Sequence, residues 1–200
     1  MSPKSTPSLR ERRAQLTRDE ILGAARRLFA ERGYARTSVR DIAKAAGVSA
    51  QTVYDSVGSK QALVSSLNDL IDAEAGIGAI VRTDLQSEDP QVVAAISARV
   101  ARSILEHCGD IIHALVTGAA AEPELAAVLA EGQRRHVAGA TTVVGRLREL
   151  GAIPPDGAVE TLAAVSDVRF ALVLQESYGW SLDQLERWMA TTSTTLLLPA

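Results

Sequence analysis

The chain has 200 residues, 46% of them hydrophobic and 4% aromatic, enough for one large helical domain or a small and a medium one, each with its own core. Its single cysteine, Cys108, excludes an internal disulfide and fits a reducing compartment. No apolar run approaches the roughly 20 residues of a membrane span. The net charge of −3 conceals a division: residues 1–60 carry 12 Lys or Arg against 6 Asp or Glu, and the remaining 140 carry 9 against 18. A basic first third suits the phosphate backbone of a nucleic acid, which an acidic remainder would repel.

Residues 1–16 are rich in Ser, Pro and basic side chains and are expected to form a disordered basic tail. They include no apolar stretch of the secretory kind, so a cytoplasmic protein is expected. Thr17 reads as the cap of a first helix, with Asp19 and Glu20 in the opening turn, where they complement the helix dipole. Ile21, Ala25, Leu28 and Phe29 form one apolar stripe, and Gly33 stops the helix. Thr37 or Ser38 caps a second helix, and Asp41 stands three residues after Ser38 as an imperfect capping box. Ser49 starts a third helix and Ser59 a fourth, whose stripe Leu63, Leu67, Leu70 and Ile71 runs toward Gly76.

The segment Thr37 to Lys60, TSVRDIAKAAGVSAQTVYDSVGSK, therefore reads as two short helices joined by a glycine turn and followed at once by another helix. Ala43 and Ala46 allow a close helix crossing, and Gly47 supplies the freedom of a sharp turn. Val39, Ile42, Val48 and Val53 are spaced to point inward, leaving Ser49, Gln51, Thr52, Tyr54 and Lys60 outside. A helix-turn-helix presents its second helix to the major groove of DNA in this way.

From Pro90 the pattern is helical throughout. Helices are expected over Pro90 to His107, Gly109 to about Ala121, Glu124 to Leu150, Val159 to Tyr178 and Leu182 to Leu198, with Glu122-Pro123 and Pro154-Pro155 as breaks. No stretch shows sustained strand alternation. The last two helices are apolar over a wide arc, through Leu162, Val165, Val168, Phe170, Leu172 and Val173, then Leu182, Leu185, Trp188 and Leu196 to Leu198. That is more apolar surface than one small helical domain easily hides, and it points to a homodimer paired through these helices across a two-fold axis.

The pattern Ile21, Ala25, Leu28, Phe29, Gly33, Tyr34, Thr37 and Ser38, followed by IAKAAGVSAQTVYDSVGSKQAL, resembles the DNA-binding domain of TetR-family transcriptional regulators over roughly residues 17–65. A late Gly179 to Trp188 stretch, GWSLDQLERW, is similar to the end of such chains. The resemblance implies an all-α protein of about nine helices: an N-terminal helix-turn-helix DNA-binding domain (17–65) and a C-terminal helical ligand-binding and dimerisation domain (66–200). Carried over by position, it implies that Thr37 and Ser38 meet a phosphate through hydroxyls and backbone amides, or only cap the helix. Arg40 reaches DNA or stays solvated. Ala50, Gln51 and Thr52 occupy the groove-facing end of the third helix, where Gln51 can pair with adenine and Ala50 or the Thr52 methyl can touch thymine. Tyr54 gives its hydroxyl to a phosphate or is core, Ser56 can bind phosphate, and Lys60 clamps one. Asp55-Ser56-Val57 departs from the aromatic or histidine pair of many relatives, and Asp55 would repel DNA unless it faces solvent or is paired.

The C-terminal part carries little explicit chemistry. His107, Cys108 and His113 do not fall on one helical face, so structural histidines are expected rather than a metal site. No Ser-His-Asp set, phosphate loop or paired catalytic carboxylates can be recognised, so neither an enzyme nor a cofactor is expected. In the family manner a ligand pocket is expected between Pro90 and Tyr178, with Ile104, Ile112, Leu115, Val116, Phe170 and Leu174 as candidates that could equally be plain core.

The combined expectation is a ligand-responsive regulator, most often a repressor, that binds a palindromic operator in double-stranded DNA as a homodimer and is released by a small-molecule effector. The alternative is a helical small-molecule-binding or dimeric interaction protein in which DNA binding is secondary.

Overall fold

The computed structural model describes residues 8–198, and every regular element among them is an α-helix. The chain divides into two compact units, Met1–Leu67 and Asn68–Ala200. The first contains α1 (Leu9–Arg32), α2 (Val39–Ala45), α3 (Ala50–Ser56) and the start of α4 (Lys60–Glu74). The second contains the rest of α4, α5 (Ile77–Asp84), α6 (Pro90–Ala94), α7 (Ile96–Gly118), α8 (Pro123–Glu149), α9 (Ala158–Val165), α10 (Val168–Tyr178) and α11 (Leu182–Leu197). Only Ala95 separates α6 from α7, and only Ser166 and Asp167 separate α9 from α10. With each pair counted as one bent helix, the described residues hold nine helical units.

Helix α1 begins at Leu9 rather than at the expected Thr17. Ser8 and Glu11 form a reciprocal capping box there: the Ser8 amide donates to the Glu11 carboxylate at 2.7 Å, and the Glu11 amide donates to the Ser8 hydroxyl at 3.2 Å. Residues 9–16 contain no glycine or proline and mostly strong helix formers, so nothing stops the helix once it is capped. The expected disordered tail is thus helical from Leu9, and residues 1–7 lie outside the described part.

In the first unit, Ile21, Leu22, Ala24, Ala25, Leu28 and Phe29 of α1 are buried, as are Ile42 and Ala43 of α2, Val53 of α3 and Leu63 and Val64 of α4. Each fully buried Ile, Leu or Val contributes about 1.5–3 kcal/mol relative to an exposed one. So short a pair of helices as α2 and α3 is held by this shared core rather than by intrinsic propensity.

In the second unit, α7 is the central element and bends at Cys108, whose backbone leaves helical geometry (φ −133°, ψ 18°). The break expected at Gly109 is therefore a kink within one helix. One core gathers Val93, Ile96, Val143, Val144, Leu147, Leu162 and Leu197. Another gathers Ala98, Ala101, Leu105, Ala171, Leu185 and Met189, with Trp180 and Trp188 against it. Among the described residues, no helix is long and apolar enough to cross a membrane.

Candidate DNA-binding site and cavity

The turn between α2 and α3 works because Gly47 adopts φ +68° and the Val48 amide donates back to the Ala43 carbonyl at 3.0 Å. The Ser49 hydroxyl then caps α3 by accepting from the Thr52 amide at 3.0 Å. With Val53 wholly buried, α3 turns Gln51, Tyr54 and Asp55 to the exterior, and Tyr54 is 53% exposed.

Thr37 does not offer its hydroxyl to a partner outside the protein. It is 2% exposed, and Oγ1 donates to the Gly33 carbonyl at 2.9 Å and approaches the Leu28 carbonyl at 3.2 Å. The expected phosphate contact through this side chain is replaced by an internal brace between α1 and the start of α2. Ser38 is exposed and caps α2 in a full capping box with Asp41. Hydrogen bonds from the Ser38 hydroxyl (2.5 Å) and amide (2.9 Å) hold the Asp41 carboxyl below its usual range.

Arg40 is exposed on α2. Ala50 and Thr52 are half-buried, with the Thr52 and Ser49 hydroxyls 2.8 Å apart. Asp55 is exposed, and its carboxylate accepts a 2.8 Å hydrogen bond from the Gln51 side-chain amide one turn earlier, which gives the unexpected acid a partner on its own helix. Ser56 is half-buried and its carbonyl accepts from Arg18 at 2.7 Å. Arg18 also donates to the Ser66 hydroxyl at 2.9 Å, stapling α1 to the end of α3 and to α4. Sequence spacing does not reveal that role, because its partners lie 38 and 48 residues away. The Lys60 ammonium sits 3.8 Å from the centroid of the Tyr34 ring, a cation–π contact that fixes it at the N-terminus of α4.

Residues 21–67 match the family described as bacterial regulatory proteins, tetR family. This stretch is a domain of the tetR family. Among curated proteins, the chain is 36% identical over 88 residues to the HTH-type transcriptional repressor KstR2 of Rhodococcus jostii, a match taking in 36% of this chain and 43% of that protein. The likeness thus spans less than half the length of that relative. Solved structures extend the likeness in fold. The SmeT–triclosan complex superposes with a TM-score of 0.73 at 18% identity, covering 92% of each chain. The fatty acid degradation regulator FadR from Bacillus halodurans superposes with a TM-score of 0.70 at 19% identity, covering 97% of this chain and 96% of that one.

The second unit encloses a cavity of about 700 Å³. Its wall is mainly apolar, with Ile71, Ile96, Val100, Leu129 and Val143 beside the expected Ile104, Ile112 and Leu115. The other three pocket candidates lie elsewhere. Phe170 is 43% exposed with its ring 5.7 Å from that of Trp188, Leu174 packs on the core around Leu185 and Met189, and Val116 is not part of the wall. Only the first residues of α10, Val168 and Arg169, reach the cavity, because the helix then turns its apolar side toward Trp188.

Polar wall residues that apolar periodicity could not indicate include Asn68, Ser97, Gln133 and His136, beside the charged Asp69, Asp72, Arg135, Asp167 and Arg169. Of the other candidate groups, His107 pairs with the Ser103 carbonyl, His113 with Glu176 at 2.8 Å, and the Cys108 thiol approaches Glu74 at 3.7 Å.

Proposed function

We propose that the chain is a ligand-responsive transcriptional repressor that binds a palindromic operator as a homodimer and is released by a small molecule, acting as a cytoplasmic regulator and not as an enzyme. The observation that carries this reading is α3, a short capped helix anchored by buried Val53 and turning Gln51 and Tyr54 outward from a basic, TetR-family unit. In the proposed complex Gln51 reads a base edge, with Ala50 and Thr52 beside it in the major groove. Ser38, Arg40, Tyr54, Ser56 and Lys60 position the unit on the phosphates, whereas Thr37 only braces it.

The exposed apolar face of α10, with Phe170 at 43% and Val173 at 48%, together with Leu196 at 43% on α11, supports pairing of two copies. A two-fold pair would address half-sites about 34–36 Å apart. The cavity supports the effector half of the reading, as does the triclosan complex of the similarly folded SmeT, and the repressor function of KstR2 supports the direction of control. An effector acts only through its differential affinity for the DNA-competent and DNA-incompetent states, and a coupling of about 1–3 kcal/mol changes DNA affinity roughly 5–150-fold.

Selection of bound fragments from random DNA at a stated salt concentration tests the core of the proposal. The expected product is a two-fold symmetric site whose base preference at one position shifts in Gln51→Ala. Recovery of no enriched sequence, with binding that is equally weak to all DNA, sinks it.

A further inference from the structure

Building on the effector-site reading, we infer that the cavity takes an uncharged, largely apolar molecule anchored by a single hydrogen-bonding group between Asn68 and Ser97. The hollow owes its width to small residues on one face of α8. Gly132, Gly139 and Ala140 all line it, and a Cβ built at Gly139 meets nothing within 4 Å. A Cβ at Gly132 would come 3.9 Å from Oδ1 of Asn68, which places the Asn68 amide against this wall.

Asn68 and Ser97 are 6% and 8% exposed, and both line the cavity. A polar group of a ligand in the cavity can take the place of water at these two side chains. Asn68 offers both donor and acceptor, and Ser97 a hydroxyl. His136 is also on the wall, and its Nε2 donates to the Ala163 carbonyl at 2.9 Å, because a carbonyl can only accept.

The charges on the wall are arranged differently. Asp72 holds Arg135 at 2.9 Å, Asp167 holds Arg169, and Arg169 also donates to Gln133 at 3.0 Å. A ligand carboxylate or ammonium would have to compete with one of these partly exposed pairs, whereas an uncharged ligand leaves both intact. Asp69 is the remaining carboxylate on the wall, and it is exposed to water, where it attracts a cation only weakly. The groups left free inside the cavity are therefore neutral, and they select a hydroxyl, carbonyl or amide on an apolar body. A cavity of this size lies within the usual range for small-molecule sites, about 300–1,000 Å³.

The test is calorimetric titration of the full chain with 1-decanol, decanoate and decylammonium, three probes with one alkyl chain and different heads, each below its aggregation concentration. Decanol is expected to bind at least about tenfold more tightly than either charged probe. Ser97→Ala and Asn68→Leu should each weaken decanol roughly three- to tenfold, and Gly139→Leu, which projects into the open space, should weaken all three. Asn68→Asp, nearly identical in shape, serves where Asn68→Leu fails to fold and should also weaken decanol. A charged probe that binds as tightly as decanol overturns the uncharged class. If that probe also releases operator DNA, the effector-site reading still stands. Decanol affinity unchanged in Ser97→Ala and in the folded Asn68 variant overturns the anchor. Failure of all three probes to bind overturns the inference as a whole, whereas the effector-site reading falls separately if Gly139→Leu leaves release of operator by cell-derived small molecules intact.

Discussion

The side-chain amide of Gln51 donates to the carboxylate of Asp55 at 2.8 Å, across one turn of α3. The pair orients the residue proposed to read a base and places a negative charge on the same exposed helix. Asp55→Asn should raise affinity for operator and random DNA alike by a few-fold, since an exposed charge interaction is worth about 0.2–1 kcal/mol. The ratio of operator to random binding should change little, because the asparagine amide oxygen can still accept from Gln51. Fluorescence anisotropy with both DNAs checks this, and an unchanged affinity for random DNA would place Asp55 away from the phosphates.

Thr37 and Ser38 are adjacent but have separable roles. Thr37→Val removes the buried donor to the Gly33 and Leu28 carbonyls and should destabilise the first unit by about 1–3 kcal/mol. DNA affinity per folded molecule should be unaffected. Ser38→Ala should cost about 0.5–2 kcal/mol through the lost cap and also weaken DNA binding. Urea unfolding paired with DNA titration separates the two.

Lys60 is held over the Tyr34 ring at the N-terminus of α4. Lys60→Met should weaken binding to every sequence and lower the salt slope, log affinity against log salt, by about one per subunit. Lys60→Arg should retain most affinity. Binding isotherms at four salt concentrations give the slope, and a sequence-selective loss would count against a phosphate role.

Asp41 has a pH consequence of fixed sign. Its folded-state pKa is depressed by hydrogen bonds from Ser38, so the unfolded chain binds the proton more readily and stability rises with pH through that window. The contribution is present above the ordinary value of 3.8 and is lost as pH falls through the depressed one. Asp41→Asn should flatten this acid limb in a plot of urea midpoint against pH between 5 and 2. An acid limb as steep as that of the parent chain would assign it to other carboxylates.

Phe170 and Val173 expose apolar surface on α10. Phe170→Asp should convert the proposed dimer to a monomer by light scattering and lower operator affinity by at least about tenfold, because two linked heads bind far better than one. A variant that stays dimeric moves the interface elsewhere.

Where local chemistry sets the structure, the sequence was readable. Ser38, Gly47 and Ser49 mark helix ends by capping and by a left-handed turn, so α2 and α3 stand where the spacing places them. Local chemistry also misled once. The strong cap at Thr17 hid the Ser8–Glu11 box that starts α1 eight residues earlier. Among the pocket candidates, Ile104, Ile112 and Leu115 line the cavity while Phe170 and Leu174 lie against the tryptophan cluster. Apolar periodicity identifies a buried face but does not distinguish packing against a neighbour from facing a void.

Sequence by itself determined the helical class, the helix-turn-helix and the basic character of the first third, because capping, glycine geometry and charge act within a few residues or sum over the chain. Tertiary structure alone decided that Thr37 turns inward, that Arg18 braces α3 from a distance of 38 residues, and that Asn68 and Ser97 line one mainly apolar hollow with Gly132 and Gly139. Those outcomes depend on which faces of separate helices come together, and that is settled by packing the core rather than by any local run of residues.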